Sequence, residues 1–587
     1  MKKRNLGIAM KTLLAVNVLA APFIGVELGA TKVFAASQTQ TTKAQVSTER
    51  VFQVPGKGDV EQLKQRDRRQ YIFSPDEPTG LYASPNEKII IQVEGTQSIQ
   101  AFIGTESYDG KWNQDSIAVK KFVLKPGENT IESPKGGMIY FYNPEQGGSV
   151  QAEIKAGGTP TPLFELGKHT KQDLVNMLDM YPNAHAVELK GERSLVTASV
   201  ERVKKYLIDT NTDPVELLKK LDDLIRMEDK VAGLSEEEAD KHYIHFVEDT
   251  NNPNDSSAAY AFPGRTAYTH ENIKWVLDIN KLETSWGVWH EMGHMRQQPA
   301  WQWKGLGEVT NNIFSLSVQR ALGQLSQLTK DGRYEKASKY LNQPQEQKDF
   351  NAISDGGVKL AMFWQLDLAF GEDFYPQLYR LYRETPSDKL PQTDNERIQD
   401  FIYNTSTVAK QNLLPFFDKW GLIATPENRQ RIEALNLPIL TAPIWEATES
   451  IPKESMKVIA SSEETVKDSN GAINAIDGKT DTFWHSNWSE KDNYPFSLTI
   501  ELDATRTIAR LGYLPRQDNE NGRILNYNIY TSEDGVNYQK VTSGTWENSK
   551  KKQFASFNPV TAKYVKLEVV NGMNGYASAE EIDILEN

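Results

Sequence analysis

The run His290-Glu291-Met292-Gly293-His294 sets two imidazoles four residues apart with a carboxylate beside the first. On an α-helix such positions share a face, so both rings can reach one metal ion while Glu291 stands beside the open coordination position as a base. A catalytic zinc needs a third protein ligand and a vacancy for water. The pattern with a further His six residues on is excluded, because that position is Ala300 and the next His is His485. No carboxylate lies between His294 and Glu308, and Glu308 opens a helix-like run over residues 307–316. Glu308 is therefore the expected third ligand. Asn311 and Asn312, three and four positions on, share its face, where an amide can hold a ligand carboxylate or a substrate backbone. Zinc on such a set polarises a scissile carbonyl and lowers the pKa of its water to about 7. Glu291 then takes the water proton and passes it to the leaving amine. Peptide hydrolysis is the natural reaction.

The remaining residues of interest near the motif read as structural. His242 and His245 form an HxxH pair, but a strand would put them on opposite faces. Trp286, Trp289, Trp301 and Trp303 crowd the motif; most are expected in the core, with one or two lining a cleft that stacks on sugar faces. Gly293 costs a helix about 1 kcal/mol relative to Ala, which is tolerable where another segment packs close. With no Cys in the chain, disulfides, thiolate metal sites and Cys nucleophiles are excluded.

These residues need a scaffold, and 587 residues allow three or four domains. The composition, 39% hydrophobic and 25% charged, is that of a globular protein and not of a disordered or multi-spanning one. A net charge of −13 argues against general nucleic-acid binding. Lys2-Lys3-Arg4, an apolar stretch from Leu13 to Val26 and a small-residue site ending at Ala35 read as a secretory signal peptide over 1–35. Its removal takes five Lys/Arg and one Glu and moves the net charge to −17, leaving a secreted, extracellular chain with no membrane span expected. Short β-like runs bounded by Pro, Gly and Asn predict a β-sandwich over 36–160. The turn-rich stretch Ala156–Pro162 reads as a hinge. From 161 to 445 the pattern is mainly helical, as in Val215–Ile225 with its three- and four-residue apolar spacing. An acidic, Pro-containing linker near 446–456 precedes a last strand-rich segment, 456–587.

The HExxH run, the Trp-rich loop after it and Glu308-Val309-Thr310-Asn311-Asn312 resemble the enhancin-type, mucin-degrading zinc metallopeptidases (peptidase family 60). The sandwich, with Pro78–Tyr82 and Gly137–Phe141, also resembles the domain that precedes the catalytic one in that family. The resemblance covers about 50–445. It implies a gluzincin-like active site and O-glycosylated, mucin-like protein substrates; spacing alone gives a metallohydrolase.

Ala475–Ser486, Tyr513–Gln517 and Ala577–Ile582 are similar to the discoidin-like, family-32 carbohydrate-binding modules. This implies a β-sandwich jelly roll with a structural calcium and a galactose-type sugar site. Asp477, Thr482 and Glu581 offer hard oxygen ligands. By family position, the carbonyls of Asn474, Lys479 and Glu580 complete the calcium set. For the sugar, His485, Arg516 and Asn521 would read hydroxyls, with Asn519 equally placed, and Trp488 or Tyr576 would stack. The expected fold class is multidomain α+β: N-terminal β-sandwich, mainly helical metallopeptidase domain and C-terminal jelly roll. The expected function is a secreted zinc metalloendopeptidase of O-glycosylated, mucin-like proteins, with a glycan-binding adhesin or a peptidase of unglycosylated proteins as alternatives.

Overall fold

The computed structural model describes residues 50–111, 118–251, 257–269, 271–322, 324–451, 453, 456–479, 481–490 and 492–586. The expected signal peptide lies outside the described residues. The chain is built as an N-terminal β-sandwich, a largely helical middle unit and a C-terminal β-sheet unit. Among the described residues no helix is long and apolar enough to cross a membrane.

The first sandwich pairs a sheet ordered Val51–Lys57, Gln146–Ala156, Ile89–Val93, Gly127–Ile131 with one ordered Lys120–Leu124, Ile99–Ile103, Gly137–Tyr142, Glu77–Ala83, Thr159–Pro160. Alternation in Ile89–Val93 and Ile99–Ile103 sends every second side chain into one core. The strand Gly137–Tyr142 is buried on both faces. Ile139 and Phe141 point into the sandwich, while Met138 and Tyr140 pack on Leu195, Tyr243 and Val247 of the next unit. Thr159–Pro160 pairs with Leu81–Tyr82, and Arg50 donates to the Gly157 and Gly158 carbonyls at 2.8 and 3.1 Å. The turn-rich segment expected as a hinge is therefore stitched down.

The middle unit begins with a six-stranded mixed sheet: Leu163–Glu165, Val187–Lys190, Ser194–Ala198, Ile244–Asp249, Arg265–Thr269 and, at the edge, Ala259–Phe262. Its short, fully buried strands lack the polar alternation that marks a strand in sequence. The helices Pro214–Val231 and Trp286–His294 cover one face, with Leu217, Leu221, Leu224, Val288, Trp289 and Met292 in the shared core. Helices from Gly307 to Glu433 enclose a second core around Trp301, Trp303, Phe363 and Phe401.

The C-terminal unit orders Lys457–Ala460, Phe496–Leu514, Gln553–Gly572, Ile524–Ser532 and Gln539–Thr545, with Glu581–Glu586 also on Phe496–Leu514. The segment before it is docked. Gln365 donates to the Trp445 carbonyl at 2.6 Å, and the Glu449 carboxylate accepts from Ser326 Oγ (2.6 Å), Trp364 Nε1 (3.1 Å) and Thr329 Oγ1. Lys552 adds ion pairs to Glu335 (3.2 Å) and Asp583 (2.6 Å), joining the last unit to the helices.

A half-buried carboxylate holding three donors leaves all of them unpaired when it is removed. Glu449→Ala is expected to lower stability by about 1–3 kcal/mol, read as a lower melting temperature, with new proteolytic cuts around residues 446–451. Parent-like melting and no new cut would contradict a docked segment.

Candidate metal centre

The motif helix Trp286–His294 buries Val288, Trp289 and Met292, which leaves His290 and His294 on the opposite side. Glu308 arrives on the turn Gly307–Thr310, where its own dihedrals (φ −92°, ψ 18°) break from the following helix Asn312–Ala321. The two segments touch at Gly293: a Cβ there would lie 2.4 Å from the Asn311 carbonyl oxygen. Only glycine permits that approach.

At this contact His290 Nε2 and His294 Nε2 lie 2.9 and 3.2 Å from the same Glu308 oxygen, Oε2. The two rings are 4.9 Å apart and nearly perpendicular. Among the described residues this is the one group of three His, Asp or Glu side chains whose ligand atoms converge, within 4.8 Å. His290 Nδ1 donates to Asn312 Oδ1 (2.8 Å), and His294 Nδ1 donates to Gln297 Oε1 (2.7 Å). With Nδ1 protonated, both Nε2 atoms carry lone pairs, a tautomer assignment made from the hydrogen-bond network. Two nitrogen lone pairs and a carboxylate oxygen facing one point are mutually repulsive unless a cation or proton sits among them. The donor set fits a metal ion.

The two amides also tie down the turn that carries Glu308. Gln297 Nε2 donates to Gly307 O and Thr310 Oγ1, each at 2.8 Å, and Asn312 Nδ2 donates to Glu308 O at 3.0 Å. Asn311 Nδ2 reaches His290 O at 3.2 Å and lies 3.1 Å from His294 Nε2. The asparagines thus hold imidazoles and backbone carbonyls, not the ligand carboxylate or substrate backbone expected of them, because the close crossing at Gly293 turns their side chains toward the motif helix. Gln297 is an addition to the expected set; an amide three residues after the second His was its signal.

Glu291 is 7% exposed, and burial raises its carboxyl above the ordinary range against the pull of His290 and His294. The edge strand Ala259–Phe262 packs against the motif helix beside it. Where protons take the place of the ion, His290 and His294 donate from Nε2 to Glu308 and hold its carboxyl well below the usual carboxylate range. Burial lowers His290, but the Glu308 hydrogen bond and the charge of Glu291 outweigh it, so the net shift is upward. Beneath the helix, the buried Arg296 donates to Glu228 (2.9 Å), Asp229 and the Met292 carbonyl, pinning the C-terminal end of the motif helix. Burial pushes Glu228 up to about 8.

Trp289, Trp301 and Trp303 are core residues, and Trp286 is half-buried between the two cores. The expected sugar-stacking role falls to none of the three buried rings. His242 and His245 are buried beside Asp240 (2.7 Å) and Asp76 (3.2 Å).

In the C-terminal unit His485 packs against Trp488 (4.8 Å between rings) and Tyr576 (5.3 Å). Arg516 lies 4.1 Å over Phe483, which in turn meets His485, and also pairs with Asp518. Asn521 is hydrogen-bonded to Asn574, two residues before Tyr576, and Asn519 Oδ1 accepts from Asn521 N. Burial lowers the His485 pKa, and its Nδ1 donates to Ser486 O at 2.8 Å, leaving Nε2 as an acceptor. Phe483 also joins the expected set.

The expected calcium residues are partly brought together. Asp477 accepts from Lys479 N (2.9 Å) and Thr482 Oγ1 (2.8 Å). Glu581 is paired with Lys453, and burial with Asp583 and Asp477 nearby pushes its carboxyl up to about 7. The Glu580 side chain turns to Gln517 N (2.7 Å), and the Asn474 amide donates to Ser469 O (2.6 Å) and Phe483 O (3.1 Å).

Residues 157–421 match peptidase M60, enhancin and enhancin-like; residues 62–156 match the N-terminal domain of M60-like peptidases. The chain belongs to the M60 family. Residues 457–582 match the F5/8 type C domain. The crystal structure of a functionally unknown conserved protein from Bacillus anthracis strain Ames is 41% identical, covering 77% of this M60 chain and 96% of that one at a TM-score of 0.64. The M60 catalytic domain of ZmpC from Clostridium perfringens, solved with the sialyl T antigen, shares the fold at 18% identity, with TM-score 0.59 over 90% and 99% of the two chains. A sialidase from Micromonospora viridifaciens is 37% identical over 128 residues, 21% of this chain; the chain spans only 20% of that relative.

For the metal centre, His294→Ala is expected to abolish bound zinc, measured by metal analysis. Gln297→Ala and Asn312→Ala each leave a ligand imidazole unoriented and are expected to weaken zinc about 10–100-fold in chelator competition. Parent affinity in all three would contradict the ligand assignment.

Proposed function

We propose that this protein is a secreted zinc metallopeptidase that hydrolyses peptide bonds in O-glycosylated, mucin-like glycoproteins, its C-terminal module binding galactose-type sugars. The observation that carries the catalytic reading is the convergence of His290 Nε2, His294 Nε2 and Glu308 Oε2, with Glu291 buried beside them. When bound there, zinc supplies Lewis-acid polarisation of the scissile carbonyl and acidifies a water. His290, His294 and Glu308 hold the ion; Gln297 and Asn312 fix the imidazole faces. Glu291 takes a proton from the attacking water on its carboxylate and returns it to the leaving amine, so that one water and one peptide bond become a carboxylate and an amine. Burial raises its carboxyl above the ordinary range, which makes it a better proton acceptor than a solvated carboxylate.

The substrate class is supported by family membership and by the sialyl T antigen with which the ZmpC catalytic domain was solved. The sugar site we assign to His485, Arg516, Asn521, Trp488 and Tyr576, joined by Phe483. A structural calcium on Asp477, Thr482, Glu581 and the carbonyls of Asn474, Lys479 and Glu580 requires Glu581 to exchange the Lys453 ammonium for the ion. Signal peptide 1–35, sandwich 36–160, catalytic domain 161–445 and sugar module 456–587 form the proposed domain plan.

Glu291→Gln keeps the shape and loses the proton acceptor. It is expected to retain zinc and fold while hydrolysis falls by about 10²–10⁴-fold; substantial turnover would assign the base elsewhere. Arg516→Ala removes charged donors worth about 1.5–3 kcal/mol, so binding of a free galactose-type sugar should weaken by an order of magnitude or more. Cleavage of a short soluble glycopeptide should stay near the parent rate. Unchanged sugar binding would make the C-terminal unit a structural or protein-binding sandwich.

A further inference from the structure

Ser107 lies in the N-terminal sandwich, just after the strand Ile99–Ile103, fully buried and at φ +69°. L side chains rarely adopt that conformation, and it persists where surrounding contacts enforce it. Here the contacts come from the catalytic unit. Arg265 Nε donates to Ser107 Oγ at 2.6 Å. The Tyr260 hydroxyl lies 2.8 Å from both Ser107 Oγ and Asp249 Oδ2. A phenol has one proton, and the carboxylate can only accept, so Tyr260 donates to Asp249 and Ser107 donates to Tyr260. The carbonyls of Ser107 and Tyr108 accept from Thr250 N (3.3 Å) and Thr250 Oγ1 (2.5 Å).

Tyr260 and Arg265 sit on the two strands of the hairpin formed by Ala259–Phe262 and Arg265–Thr269. The first of these is the edge of the catalytic sheet, four residues long and paired along one side only. Such a strand is weakly held by its own ladder. This edge strand packs against the motif helix Trp286–His294, which carries Glu291. The first domain therefore reaches the base through two contacts, Ser107 on Tyr260 and the strand of Tyr260 on the motif helix.

We propose that Ser107 is a positioning residue, through which the N-terminal β-sandwich holds the edge strand in place against the motif helix that carries Glu291. The inference rests on the reading of Glu291 as the base. It gives the first domain a task in catalysis, and it explains why a strained serine is kept in a buried interdomain position.

The test uses the zinc-loaded full chain with Ser107→Ala, Tyr260→Phe and the double substitution. Amides of residues 259–262 should exchange roughly fivefold faster in each single variant, as for one lost hydrogen bond, with Ile244–Asp249 unchanged and zinc content at the parent level. On a glycopeptide substrate kcat should fall roughly tenfold, within the hundredfold that a 1 Å misplacement costs, while KM stays within about twofold. The double variant should be no worse than either single one, since all three break the same path. Parent-like exchange at 259–262, additive losses, or loss of zinc would each overturn the proposal. A parent protein without peptidase activity would sink the functional reading, while exchange at 259–262 still decides whether Ser107 holds the strand.

Discussion

A methyl group on Gly293 would sit 2.4 Å from the carbonyl oxygen of Asn311. That contact sets the distance between the helix that carries both imidazoles and the segment that carries Glu308, and nearly everything at the site follows from it. Close approach lets Asn312 and Gln297 each span the gap, with a carboxamide oxygen on an imidazole and the NH2 on the Glu308 turn. The ligands are oriented by neutral amides, which keep the same hydrogen-bonding role across the working pH range. A larger residue at position 293 would separate the segments and undo both clamps together.

The rest of the middle unit holds this crossing rigid. Val288, Trp289 and Met292 bury the far face of the motif helix against the sheet. Arg296 closes its C-terminal end against buried Glu228 and Asp229, with Asp229 the stronger charge partner. The Trp301 and Trp303 core anchors the loop of 13 residues between His294 and Glu308, with Pro299, Lys304 and Gly305 left at the surface.

Much of this was legible in the sequence. The helical spacing of His290 and His294 and the nearest downstream carboxylate, Glu308, single out three side chains that the structure brings to one point. The C-terminal aromatics Trp488 and Tyr576 do meet at His485. What the sequence hid has physical causes. Gln297, and the choice of an imidazole as the group Asn312 holds, depend on geometry that the Gly293 crossing creates. The inner strands of the six-stranded sheet are buried on both faces yet carry polar residues such as His245, Glu248 and Arg265, so no regular apolar alternation marks them. The acidic stretch before the last unit reads as a linker by composition, yet Glu449 finds Ser326, Thr329 and Trp364, residues more than 80 positions away in the chain.

The central claim is that the convergent His290, His294 and Glu308 serve a peptidase whose substrates carry O-linked sugars. The most direct measurement incubates the purified protein with mucin and with the same mucin enzymatically deglycosylated, each with and without a zinc chelator, and maps the new termini by mass spectrometry. The account predicts chelator-sensitive cuts beside glycosylated Ser or Thr in intact mucin and few in the stripped protein. Cuts that survive the chelator, or that are as frequent after deglycosylation, would contradict it.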